Sequence, residues 1–324
     1  VAVVGLPGVA AADRGGRGRR GDGERQGRTG ANRVGIDDGP GRFSRMFDDH
    51  PIFAEPDDEL TAMLVELGRP GGILDAQDPL DVGPIRLITE PDLSPNNLDN
   101  PNQTAGSTFF GQFLDHDITS DGGSQLGRRT PLRRSVNSRS ARFDLDSVYG
   151  GGPDESPQLY STEDHFRFRV ESGGLFEDLP RDSDGRAITA DPRNDENMMI
   201  SGIQVAFLLF HNSVLERVRA QGLRDELAFF ESQRIVRWHY QWLILNQFLP
   251  QFVGQEMVDD IFANGRQHFT TNTPSIPVEF QTSAYRFGHS LIRPSYRANL
   301  AGDDGDPFFA FVFDPEQFGR SDPD

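Results

Sequence analysis

The chain has 324 residues, a formal net charge of −18, 35% hydrophobic and 25% charged residues. That is enough for one large domain or two ordinary ones, and the negative balance excludes phosphate-backbone binding and docking on anionic lipid. Cysteine is absent, which removes disulfide frameworks, thiolate zinc sites, cysteine nucleophiles and thiolate-ligated iron.

The opening VAVVGLPGVAAA carries small residues after an apolar run, as the tail of a signal segment would, or as an arbitrary start would. A secreted or extracellular setting is therefore expected over a cytoplasmic one. Residues 13–41 are Arg/Gly-rich with almost no apolar content, so 1–42 are expected to be a disordered leader. From 43 to 324 the composition is that of a folded domain. PDDELTAMLVELGRPGG predicts a helix capped by Asp57 or Asp58 and stopped at Gly68. A Pro/Asn/Asp-rich loop follows at 76–104, then a short helix over 105–118. Turn signals such as GGGPD, ESGG and SDG make 120–190 loop-rich. Long helices are expected over 194–220 and 224–249, the second closing at Pro250, with shorter ones over 254–264 and 280–291. The longest apolar run, MMISGIQVAFLLF at 198–210, is too short to cross a bilayer and reads as a buried helix. Strand-like alternation is scarce, so the expected class is mainly α with long loops and little β.

Four groups of residues carry chemistry. In FGQFLDHDIT, Gln112, Asp115 and His116 share one helical face through i, i+3 and i+4 spacing, while Asp117 points to nearly the opposite side. Spacing alone favours a solvated helix end with one buried histidine. In ADPRNDENMM, Arg193, Glu196 and Asn197 share a face ahead of the apolar helix, where acidic residues ordinarily serve capping and dipole roles. An EF-hand over 191–202 fails, because Arg193, Glu196 and Gly202 occupy positions that need an oxygen ligand, a glycine and a glutamate. In SAYRFGHSLIRP, His289 follows Arg286 by three residues; a helical histidine is usually structural, but a neutral imidazole is also an iron ligand. In SARFDLDSVYGGGP, Asp144 and Asp146 alternate and would face one side of an extended segment beside Ser140. Carboxylates with a hydroxyl and a carbonyl suit a hard cation, although an acidic turn is the common case.

In combination and in this order, TFFGQFLDHDIT, FDLDSVYG, RNDEN before LLFHNSVLERV, and YRFGHSLIRP resemble the animal-type haem peroxidases of the peroxidase–cyclooxygenase superfamily, in a bacterial-looking version. The resemblance runs from about residue 43 to 300. No GxSxG, HExxH or P-loop signature competes with it, and no GxGxxG follows a strand.

The resemblance implies a haem-peroxidase helical domain that binds haem b and Ca²⁺ and oxidises a small donor or halide with hydrogen peroxide through an oxoferryl intermediate. It matches His116 to the distal proton acceptor, Arg193 to the distal arginine that stabilises negative charge, and Gln112 to the distal glutamine. His289 matches the proximal iron ligand, Arg286 the propionate partner, and Asp115 and Glu196 the two carboxylates that can form ester links to haem. Asp117, Ser140, the carbonyl of Arg142, Asp144 and Asp146 match a calcium site. Asn197 stands where myeloperoxidase has a methionine, so no sulfonium link is expected. The family domain continues well beyond the proximal histidine whereas this chain ends 35 residues after His289, so a C-terminal truncation is expected. Two alternatives accompany this reading. One is a fatty-acid oxygenase of the same superfamily, with Tyr240, Trp242 and Asn246 as the residues to inspect; the other is a non-catalytic, calcium-binding fragment. Neither a nucleic-acid partner nor a membrane span is expected.

Overall fold

The computed structural model of the protein describes residues 41–296, apart from 48–49, 52–53, 56, 97, 99, 126–129, 173–176, 272 and 294–295. The predicted leader, except Gly41 and Arg42, lies outside the described residues, as does 297–324.

Helix α1 (Asp58–Gly68) begins where Asp57 accepts a hydrogen bond from the Leu60 amide at 2.7 Å, which satisfies one of the orphan donors of a first turn. It buries none of its side chains. After α2 (Pro84–Thr89), α3 (Ala105–Ile118) is capped by Thr104 and has the predicted bounds. Every residue from Phe113 to Ile118 is buried, including Asp115, His116 and Asp117. Two single turns, α4 (Asp146–Tyr149) and α5 (Gly152–Glu155), interrupt the long excursion that follows. Among the described residues its sheet content is one antiparallel pair, β1 (Glu171–Ser172) with β2 (Glu177–Asp178).

The first long helix starts later than the spacing predicts. Pro192–Asp195 form a 3-10 turn capped by Asp191, and Asn197 then adopts an extended conformation and caps α6 (Met198–Ala220) by accepting from the Ile200 amide at 3.0 Å. Two caps in succession separate the turn from the helix. α6 packs along α7 (Asp225–Leu243). Contrary to expectation, the helical path does not close at Pro250. A π turn at Ile244–Phe248 leads directly into α8 (Leu249–Val253), and this widened turn accommodates the amide hydrogen that Pro250 lacks. α9 (Gln255–Asn264) follows. The predicted helix over 280–291 is a π turn, Phe280–Ala284, running into a 3-10 helix, Tyr285–Leu291.

The main core lies between α3, α4, α6 and α7. Phe113 stacks on Phe207 with ring centroids 5.1 Å apart and meets Tyr240 edge-on at 6.1 Å. Full burial of a side chain of this size contributes roughly 1.5–3 kcal/mol. α6 has the length and mean hydropathy (1.5) of a membrane span. However, Gln204, His211 and Asn212 are buried on it and hydrogen-bonded within the protein, as on a core helix. The fold is mainly α with long loops, as expected.

Candidate active site

A cavity of about 420 Å³ is lined by α3, the 192–196 turn, the π turn with α8, and the 280–292 segment. From α3, Gln112, Asp115 and His116 face it, and Asp117 does not. The helical spacing had separated these residues in the same way.

His116 is 4% exposed, and its Nδ1 lies 2.8 Å from Asn194 Oδ1. Burial, reinforced by the positive charge of Arg193, pushes the imidazole down to about 4, so it is neutral at ordinary pH. Arg193 is fixed by carboxylate and carbonyl oxygens. Its Nε donates to Asp191 Oδ1 at 3.0 Å and its Nη2 to Asp191 Oδ2 at 2.7 Å. The same Nη2 reaches the carbonyls of Thr119 and His116 at 2.7 and 3.1 Å, tying the arginine to the end of α3. Asp191 also holds Arg139 at 2.6 Å. Burial works against the Asp191 carboxylate, but the two arginines outweigh it and hold it down at about 2.

Gln112 Nε2 donates to Glu196 Oε2 at 2.8 Å, and Asn197 Nδ2 donates to Gln112 Oε1 at 3.3 Å. Burial raises the Glu196 carboxyl. Asp115 accepts from Thr119 Oγ1 at 2.9 Å and faces the Arg286 guanidinium at 3.4 Å. Tyr285 donates to the Gly111 carbonyl at 2.7 Å. One turn further on, His289 is exposed and borders the cavity with its Nδ1 3.1 Å from the Arg286 carbonyl. The cavity thus brings together Gln112, Asp115, His116, Arg193, Glu196, Arg286 and His289.

The predicted cation ligands assemble on the other side of α3. Oxygens of Asp117, Asp144 and Asp146 all lie within 4.8 Å of one another. Ser140 donates its hydroxyl to Asp144 and its amide to Asp146, both at 2.9 Å. Arg142 sits in the same bend with an exposed side chain. The strand-like alternation predicted for Asp144 and Asp146 is not what joins them. Leu145 takes a left-handed conformation (φ 60°), and Asp146 opens α4. Burial, followed by the charges of Asp146 and Asp144, pushes Asp117 up to about 8; burial takes Asp146 to about 6. Asp146 Oδ1 is buried and accepts no hydrogen bond among the described residues, with Arg139 3.6 Å away.

Three residues at this site had no signal in the sequence: Asp191, Asn194 and Gln204. Asp191 acts with Arg139 and Asn194 with His116, both distant in the chain, and Gln204 acts through Asn194. Tyr240, considered for an oxygenase, does not line the cavity; it is fully buried and donates to Asp117 at 3.1 Å. Trp242 is exposed, and Asn246 donates to the Trp242 carbonyl.

The family model for the animal haem peroxidase matches residues 123–307, more than half of the chain. The chain belongs to the animal haem peroxidase family. A peroxidasin homologue of Caenorhabditis briggsae is 23% identical over 193 residues, covering 53% of this chain and 15% of the relative. Human thyroid peroxidase is 23% identical over 206 residues, covering 55% and 22%. Among solved structures, peroxidase A from Dictyostelium discoideum superposes with a TM-score of 0.50 at 16% identity, over 67% of this chain and 53% of that one. The chain therefore spans less than a quarter of these two curated relatives. Family membership supports peroxidase-type oxidoreductase chemistry at the superfamily level and implies haem binding.

The residues of this animal haem peroxidase chain fit that group. The cavity walls are apolar and aromatic, with Phe248, Phe252, Phe280, Leu249 and Ile292 among them. Two imidazoles border the same space with Nδ1 engaged by an oxygen, and neither Nε2 has a hydrogen-bond partner among the described residues. An imidazole nitrogen left without a hydrogen-bond partner beside an apolar wall is the usual protein ligand of haem iron.

Proposed function

We propose that this chain is a haem peroxidase that uses hydrogen peroxide to oxidise a small donor or halide. The reading rests on one observation above the others: neutral His116 and charge-fixed Arg193 border the same cavity as His289. His289 Nε2 would hold the haem iron. Bound there, haem supplies the redox chemistry that reduces peroxide and oxidises the donor. His116 Nε2 takes a proton from peroxide and delivers it to the departing oxygen, as general base and then general acid. Arg193, held by Asp191 and two carbonyls, presents a fixed positive charge to the negative charge that develops on the breaking O–O bond. Gln112, anchored to Glu196, directs its amide to the peroxide or halide. Asp115 and Glu196 are the carboxylates available for ester links, and Arg286 is the cation available to a propionate.

Asp117, Ser140, Asp144, Asp146 and the Arg142 carbonyl would hold Ca²⁺ in this reading. Three carboxyl groups within 4.8 Å do not all ionise near neutral pH unless a cation compensates them, in keeping with Asp117 being pushed up to about 8.

The test is the absorption spectrum of the chain reconstituted with haem, before and after peroxide. A Soret band that changes with peroxide and disappears in His289→Ala is expected. Absence of both a Soret band and peroxidase turnover rules the reading out. Replacing His116 is expected to leave haem bound and slow the first reaction with peroxide in stopped flow.

A further inference from the structure

We infer that Asn194 and Gln204 are positioning residues that hold His116 in the tautomer with the proton on Nδ1, leaving the Nε2 lone pair for the cavity. The inference rests on the reading of His116 as the base that handles the peroxide proton.

The three side chains form a buried hydrogen-bonded line. Gln204 Oε1 accepts from Asn194 Nδ2 at 2.9 Å, and Asn194 Oδ1 lies 2.8 Å from His116 Nδ1. The direction of the first bond sets that of the second. An amide that gives its NH₂ to Gln204 has only its oxygen left for the imidazole, so Nδ1 must donate. A base needs its lone pair on the nitrogen that faces the substrate, which the donating Nδ1 leaves to Nε2.

Burial and anchoring keep the line from reversing. Asn194 is 0% exposed and Gln204 1% exposed, so water cannot replace either partner during an amide flip. The Asn194 backbone is pinned, because its amide donates to the Asp191 carbonyl at 3.0 Å in the 3-10 turn that Asp191 caps. Gln204 sits in the second turn of α6, whose first turn is fixed by the Asn197 cap. Both anchors are regular structure and not loop, which suits a group that must hold one orientation.

The test reads the tautomer by ¹⁵N NMR of the full chain labelled at histidine, without added haem, using the long-range coupling pattern of His116. The wild-type chain is expected to favour the Nδ1–H form by about fivefold, the population ratio that one net hydrogen bond supports. Gln204→Met, of similar volume and without a hydrogen-bonding amide, is expected to bring the two tautomers towards an even mixture. Asn194→Leu is expected to do the same or to favour Nε2–H. A wild-type His116 protonated on Nε2 overturns the inference. So does a Gln204→Met chain whose tautomer ratio is unchanged, since a merely structural glutamine would alter stability alone. If a variant does not fold, the wild-type spectrum still decides the direction of the line. The tautomer is read without peroxide, so a chain with the expected tautomer and no turnover after haem loading counts against the peroxidase reading and not against the positioning.

Discussion

Tyr285 donates to the carbonyl of Gly111 at 2.7 Å, which ties the turn before His289 to the helix that carries His116. The two histidines of the cavity thus sit on elements joined by a specific tether. The tyrosine is half-buried, and desolvation of its phenol raises it above its usual range, so it stays protonated and donating at any working pH. Tyr285→Phe removes the donor and keeps the ring. We expect a loss of about 1 kcal/mol, near 2 °C in melting temperature for a chain of this size. Haem affinity should fall several-fold, because the His289 turn is less fixed. Calorimetry and a haem titration measure the two effects, and an unchanged affinity would mean that the tether does not position His289.

The helical part of this arrangement was legible in the sequence, because it depends on local rules. The Pro/Asn/Asp-rich loop ahead of it and the 3.6-residue spacing were enough to bound α3 and to send Asp115 and His116 one way and Asp117 the other. What escaped was set by distant partners or by backbone choices without a residue signature. Asp191 matters because Arg139, 52 positions earlier, converges on it with Arg193. Asn194 matters because His116, 78 positions earlier, lies at its amide oxygen. Leu145 enters a left-handed conformation that a leucine does not advertise, which is why alternation misjudged how Asp144 and Asp146 meet. The 3-10 helix at His289 likewise packs on α3, and Phe248 of the π turn meets Phe110 of α3 edge-on, contacts that local propensity does not encode.

His211 should make the fold acid-sensitive. It is fully buried between Tyr149 Oη at 3.0 Å and the Phe166 carbonyl at 3.1 Å, and burial pushes it down to about 4. The unfolded chain takes up this proton near 6.5, while the folded chain resists until about 4. Stability is therefore lost as pH falls through that window, by roughly 3 kcal/mol for the whole interval. Denaturant midpoints of wild type and His211→Gln, measured across it, should converge towards low pH, because the glutamine does not titrate. Parallel pH profiles would show that the histidine is not the source.

The carboxylate cluster behind α3 should respond to calcium with a change of sign. Without cation, Asp117→Asn removes a carboxyl that burial and its acidic neighbours hold up at about 8, and the amide oxygen can still accept from the Leu145 amide and the Tyr240 hydroxyl, which share one Asp117 oxygen. The variant should then melt above wild type by a few degrees, equivalent to about 1–2 kcal/mol. Added Ca²⁺ should raise the wild-type melting temperature and restore the opposite order, since the variant has lost a charged ligand. Melting curves in chelator and in millimolar calcium test this. A variant that gains as much from calcium as wild type would remove Asp117 from the site.

Asp191 offers the sharpest separation between structure and chemistry. It is 2% exposed and compensates two arginines, with Arg139 Nη2 at 2.6 Å and Arg193 Nη2 at 2.7 Å. Asp191→Asn keeps the volume, but its amide can present only one oxygen and brings no charge. Leaving two guanidinium groups without their buried partner should cost about 3–5 kcal/mol. Arg139→Met, in contrast, removes one arginine and leaves Arg193 bidentate on Asp191, so it should slow the peroxide step little even where it lowers stability. Asp191→Asn should slow that step by one to two orders of magnitude, the scale of a displaced transition-state charge (about 2 kcal/mol). Stopped-flow mixing of each haem-loaded variant with peroxide, alongside its melting curve, distinguishes the two. If Arg139→Met slows the reaction as much as Asp191→Asn, the carboxylate holds the turn together and does not aim Arg193.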